Sequence, residues 1–92
     1  MTVYYPGETI SKYIYFKDKD NNPLDPDNVT VEIYDSTGKL QGTTTLTKVE
    51  VGKYELNYNI PVNATEGTWY ILVSASKGSF ANKEKVYFDV EK

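Results

Sequence analysis

Cysteine and histidine are both missing from this 92-residue chain. Without cysteine there is no disulfide, no thiolate nucleophile and no cysteine-ligated metal. Without histidine, the usual general base at neutral pH is gone. A carboxylate pair needs one acid desolvated in a cleft, and the acids here fall in turns or at outward strand positions. The chain is therefore expected not to be an enzyme and to need no cofactor, with calcium the one candidate weighed below. Arginine is absent too: all ten basic residues are lysine. That removes the planar fork used for bidentate recognition of phosphate and carboxylate. A net charge of −3 supplies no basic face, which excludes nucleic acid as a partner. No basic stretch followed by an apolar run opens the chain, so no signal peptide is read. No apolar run approaches the roughly 18–20 residues that cross a bilayer, and direct membrane insertion is not expected. The chain reads as an excised module of a larger protein, or as a complete protein not exported by that route.

Aromatic residues are plentiful: nine Tyr, three Phe and one Trp. Tyrosine suits half-buried strands, because its ring is apolar and its hydroxyl stays wet. The length allows one domain over residues 1–92, with a single core.

Apolar residues recur with period two, the signature of strands with one buried face. The first strand is expected at residues 2–5, stopped by Pro6-Gly7. In residues 9–17, Ile10, Ile14 and Phe16 share one face, with Tyr13 and Tyr15 on the other. Residues 18–28 carry two prolines and many Asx residues, which is loop chemistry. Val29, Val31 and Ile33 alternate next, and Asp35–Lys39 reads as a hairpin turn with Gly38 free to take positive φ. Residues 40–47 fit one short edge strand. After Gly52, Tyr54, Leu56, Tyr58 and Ile60 share a face, then Trp69, Ile71, Val73 and Ala75. Val86, Phe88 and Val90 mark the last strand. About seven antiparallel strands at this spacing predict an all-β, immunoglobulin-like β-sandwich, with Trp69 as a core plug.

Four stretches carry a family resemblance. They are Tyr5-Pro6-Gly7-Glu8-Thr9; the loop from Phe16 through Asn21-Asn22-Pro23-Leu24; residues 29–38; and Gly52-Lys53-Tyr54 with the later Gly67-Thr68-Trp69-Tyr70. Together they resemble prokaryotic immunoglobulin-like surface modules and the related macroglobulin-type and fibronectin-type sandwiches. The resemblance implies a spacer, stalk or adhesive module of a larger exported protein, extracellular or at the cell surface, whose partners are neighbouring domains of the same polypeptide. A linear spacer of this kind expects its two chain ends at opposite ends of the domain. Asn21-Asn22 stands where such modules often carry glycine, and Asn tolerates the left-handed geometry required.

Several residues could carry chemistry or binding. Asp18, Asp20 and Asn22 are spaced two apart, with Asp25 and Asp27 behind, and hard cations such as calcium want several oxygens from one loop. The full calcium-loop pattern is not met, since no Gly follows Asn22 and no closing Glu is placed; the competing reading is a loop folded by Asx turns. Asn28 and Asn63 begin Asn-x-Thr sequons at loop ends, where a glycan could be carried. Tyr13, Tyr15, Tyr34 and Tyr70 fall on outward positions, where they could stack on a sugar or anchor a protein, or simply cover the sheets; Tyr70 also suits a corner hydrogen bond. Lys12 falls between Ile10 and Ile14 on the inward parity, which implies a bulge or a lysine reaching out at a sheet edge. The functional expectation is a non-catalytic structural or adhesion module. The alternatives are a carbohydrate- or protein-binding module using the tyrosines, or a virion decoration or tail domain.

Overall fold

The computed structural model describes residues 2–92. It contains eight strands: β1 (Val3–Tyr4), β2 (Thr9–Tyr15), β3 (Asn28–Tyr34), β4 (Leu40–Thr44), β5 (Leu46–Glu50), β6 (Lys53–Asn59), β7 (Gly67–Lys77) and β8 (Phe80–Val90). They form a five-stranded sheet in the order β1-β8-β7-β3-β4 and a three-stranded sheet in the order β2-β6-β5. The two sheets close over one interior, as the alternation predicts.

Most of the expected core is observed, with Val29, Tyr54, Tyr58 and Val86 only partly buried against it. Ile10, Ile14, Phe16, Val31, Ile33, Leu56, Ile60, Trp69, Ile71, Val73, Ala75, Phe88 and Val90 are all buried and form one cluster. β3, β7 and β8 contribute alternate residues, and β2 contributes Ile10 and Ile14, because successive side chains point to opposite faces. Trp69 packs at a ring-centroid distance of 5.9 Å from Phe88, and its indole N–H donates to the Thr65 carbonyl at 2.9 Å. That bond satisfies the one polar atom the plug would otherwise bury unpaired.

Two features depart from the sequence reading. Residues 40–47 are not one edge strand. β4 pairs with β3 in the larger sheet, and after Thr45 the chain continues as β5, which pairs with β6 in the smaller one. One extended segment thus crosses between layers, a corner that strands in sandwiches make by a local bend. A one-residue bend leaves no turn signature, so the segment reads as continuous. The strands are also not all antiparallel. β1 runs parallel to β8, with Val3 beside Asp89 and Tyr4 beside Val90. The turn at Gly7, with φ 92°, carries the chain out of the larger sheet and into β2 of the smaller one, so β1 cannot pair with β2 as a hairpin.

The parallel pair also decides where the chain ends lie. The Asp89 amide donates to the Thr2 carbonyl at 2.9 Å, and the Glu91 amide to the Tyr4 carbonyl at 3.0 Å. The two ends run side by side along one sheet edge, not at opposite ends as a linear spacer expects.

Candidate functional site

The Asx-rich loop between β2 and β3 is built by its own carboxylates. Asp18 Oδ1 accepts the amide protons of Asp20 at 2.9 Å and Asn22 at 3.0 Å. The Asp18 amide donates to the Asn22 carbonyl and the Asn21 amide to the Asp18 carbonyl, closing the turn. Asn21 takes φ 68°, the left-handed geometry expected where related modules use glycine. The Asn22 amide bond is foremost in holding the Asp18 carboxyl below its ordinary pKa.

Asp25 does a different task at the far end of the loop. Its Oδ2 accepts from Lys48 Nζ at 2.7 Å, while Oδ1 accepts from the Gly52 amide at 2.9 Å and the Tyr54 hydroxyl at 3.1 Å. The Lys48 hydrogen bond, then the Gly52 amide, hold the Asp25 carboxyl at a pKa of about 2. The five residues nominated for calcium are therefore split. Asp18 is turned onto loop amides and Asp25 onto the β5–β6 hairpin. Asp20 and Asp27 donate their backbone amides, to Asp18 Oδ1 and to the Ser76 carbonyl. Among the described residues, no group of three or more acidic, histidine or cysteine side chains converges on one point.

The nominated tyrosines are also divided, between opposite outer faces. Tyr13 and Tyr15 lie on β2, each about half exposed, and Lys53 Nζ sits 4.3 Å from the Tyr13 ring centre and 6.0 Å from that of Tyr15. Tyr34 and Tyr70 lie on the larger sheet, where neighbouring β3 and β7 set them directly opposite each other. Their rings stack at 4.9 Å and 19°, Tyr87 of β8 packs beside Tyr70 at 5.9 Å, and Lys85 Nζ lies 4.7 Å from the Tyr70 ring. Tyr13, Tyr34 and Tyr70 thus each contact another ring or an ammonium, and Tyr15 is the most exposed of the four. Cross-strand aromatic contacts of this type stabilise a sheet.

Both sequon asparagines are exposed. Asn28 begins β3 and Asn63 sits in the turn after Pro61. A shallow depression of about 220 Å³ lies on the outer face of the larger sheet, lined by Asn28, Thr30, Ser74, Ser76, Ala81 and Lys83 among others. It brings together small hydroxyl and amide side chains and one lysine, with no carboxylate beside them to act as a base.

Asp35 is the polar residue that sequence reasoning passed over. It is buried, and its Oδ1 accepts from the Thr37 amide at 2.8 Å, the Thr37 hydroxyl at 2.6 Å and the Lys39 amide at 3.0 Å. Its Oδ2 accepts from Gln41 Nε2 at 2.8 Å. The Thr37 hydroxyl leads the effects that lower its pKa. The Asp-Ser-Thr-Gly turn was visible in sequence. Its burial was not, because that depends on the neighbouring loop: Ser36 Oγ donates to the Glu66 carbonyl at 2.9 Å, and a Cβ on Gly67 would lie 2.5 Å from Ser36 Cβ.

The polar side chains described above hold loops and turns in place, so what the chain resembles decides more than any one of them. Residues 2–90 match the MG2 domain family. The chain belongs to that family. Its MG2 fold is shared with the alpha-2-macroglobulin of Salmonella reacted with methylamine, with a TM-score of 0.75 and 31% identity, covering 98% of this chain and 6% of that one. The native conformation of the Escherichia coli alpha-2-macroglobulin matches at a TM-score of 0.78 and 23% identity, over 98% of this chain and 5% of that one, which speaks to the fold. The alpha-2-macroglobulin of Xylella fastidiosa (strain 9a5c) is 32% identical over 69 residues, 75% of this MG2 chain. The chain spans only 4% of that relative's length.

Proposed function

We propose that this MG2 domain is a non-catalytic structural module of a larger alpha-2-macroglobulin-like polypeptide, and that it acts through contacts with neighbouring domains of the same chain. The observation that carries this reading is the family match over residues 2–90, set against relatives more than ten times as long. The surface fits it. The carboxylates of Asp18, Asp25 and Asp35 hold loops and turns together, and the stacked tyrosines brace the larger sheet. The chain enters and leaves the domain beside the β1–β8 pair. Placement outside the cytoplasm, as for an exported polypeptide, is part of the same reading and rests on the family.

The E. coli relative is described as activated by porcine elastase. If this module supports a comparable activation, a variant that unfolds it will block the response of the parent polypeptide. The experiment places Ile33→Asp, which puts a charge into the buried core, in the full polypeptide and compares its small-angle scattering before and after elastase. A smaller elastase-induced change in scattering than in the unsubstituted polypeptide is expected, and no hydrolytic activity is expected from the purified 92-residue chain. An unchanged response, or turnover by the isolated chain, would overturn the reading.

A further inference from the structure

The sandwich has four edge strands, and three are blunted by their own geometry. β1 pairs over only two residues. β4 is bulged, since Ile33 pairs with Gly42 but Tyr34 with Leu40, leaving Gln41 unpaired. β5 is bulged in the same way, leaving Val49 unpaired where Lys48 and Glu50 pair with Tyr54 and Lys53. Short strands and bulges are the common means of keeping a sheet edge from pairing with another chain.

β2 has neither protection. It pairs with β6 over all seven residues, Thr9 to Tyr15, with no shift of register. Its outer edge is therefore a straight row of backbone donors and acceptors beside a buried apolar face. Ile10 and Ile14 are 1% and 5% exposed. Unbroken alternation puts the Lys12 Cβ on the same inward side, across from the fully buried Leu56, yet Lys12 itself is exposed. An inward-pointing residue on an edge strand can be exposed in this way by reaching out past that edge.

We propose that Lys12 guards the β2 edge against antiparallel pairing with a second copy of this chain. Lys12 is the middle residue of the seven-residue strand. A two-fold pair of β2 strands in the longest register sets Ile10 across from Ile14 and Lys12 across from Lys12. Like charges directly opposite one another disfavour that ladder. Slipping by two residues separates the charges but shortens the ladder, and slipping by one sets inward side chains against outward ones. The register with the most pairing is the one that the lysine opposes.

Sedimentation velocity on the 92-residue chain over a concentration series tests this. Lys12→Val and the less apolar Lys12→Thr should dimerise, the valine variant at least about tenfold more tightly than Lys12→Arg, which should stay monomeric like the wild type. Hydrogen exchange should show new protection at β2 amides in the dimer. Lys12→Glu should be monomeric alone and form a heterodimer when mixed with wild type, since opposite charges then face each other. A monomeric valine variant, a dimer with no new protection in β2, or a wild-type chain already paired through β2 would each overturn the proposal.

Discussion

The Asp25 carboxylate accepts the Gly52 amide proton at 2.9 Å and so fastens the β2–β3 loop to the β5–β6 turn. The same junction is closed on its backbone side by Phe16 N donating to Gly52 O at 2.8 Å and Leu24 N to Phe16 O at 2.9 Å. Lys48 and Tyr54 complete the shell around the carboxylate. This end of the loop is held by an internal anion and its donors.

The junction predicts an acid dependence. The folded pKa of Asp25 is about 2, below its ordinary 3.8, so the ionised form favours the native state. Its contribution is fully present above pH 3.8 and is lost as the pH falls through about 2. Asp25→Asn should lower the melting temperature at pH 7 and lower it much less at pH 2, where most of the contribution is already lost, which thermal circular dichroism will read. Equal losses at both pH values would show that the charge is not what stabilises the loop.

Gly52 and Gly38 separate conformational strain from steric conflict. Both have positive φ, 74° and 85°. A Cβ at Gly38 meets nothing within 4 Å, whereas one at Gly52 meets Phe16 O and Pro23 Cβ at 2.8 Å each. Gly38→Ala should cost about 1–2 kcal/mol, from the left-handed backbone alone. Gly52→Ala should cost about 3 kcal/mol or more, because backbone must also move. Urea unfolding at neutral pH compares the two directly.

Leu56 and Tyr13 occupy facing strands of the same sheet but opposite sides of it. Leu56 is fully buried and Tyr13 is 51% exposed. Leu56→Ala should cost about 2–5 kcal/mol, through lost burial and the cavity left behind. Tyr13→Ala should cost under about 1 kcal/mol, the size of an exposed contact with Lys53. Chemical denaturation will rank them, and a reversed order would contradict the inward and outward assignment of β2 and β6.

Calcium should not stabilise the domain. Asp18 and Asp25 already accept two and three hydrogen bonds respectively, from different elements, so a cation held between them would require the loop to rearrange. Thermal melts in millimolar calcium and in chelator are expected to coincide. A calcium-dependent rise in melting temperature would show that the loop rearranges to bring its carboxylates together.

The sequence alone was sufficient to determine the buried face of most strands. Trp69, Ile71, Val73 and Ala75 recur every second residue, and such a pattern has one consistent placement when a single interior must be filled. It also determined the loop chemistry, since Asn21 and Gly38 take the left-handed turns their residue types allow. What only the tertiary structure decided was anything that depends on which strands are neighbours. Whether residues 40–47 serve one sheet or two, whether β1 runs with β8, whether Asp25 reaches Lys48 and Gly52, and whether Tyr34 stacks on Tyr70 all turn on contacts between segments far apart in the chain. Local pattern reports which side of a strand is apolar, but it carries no record of the strand lying next to it.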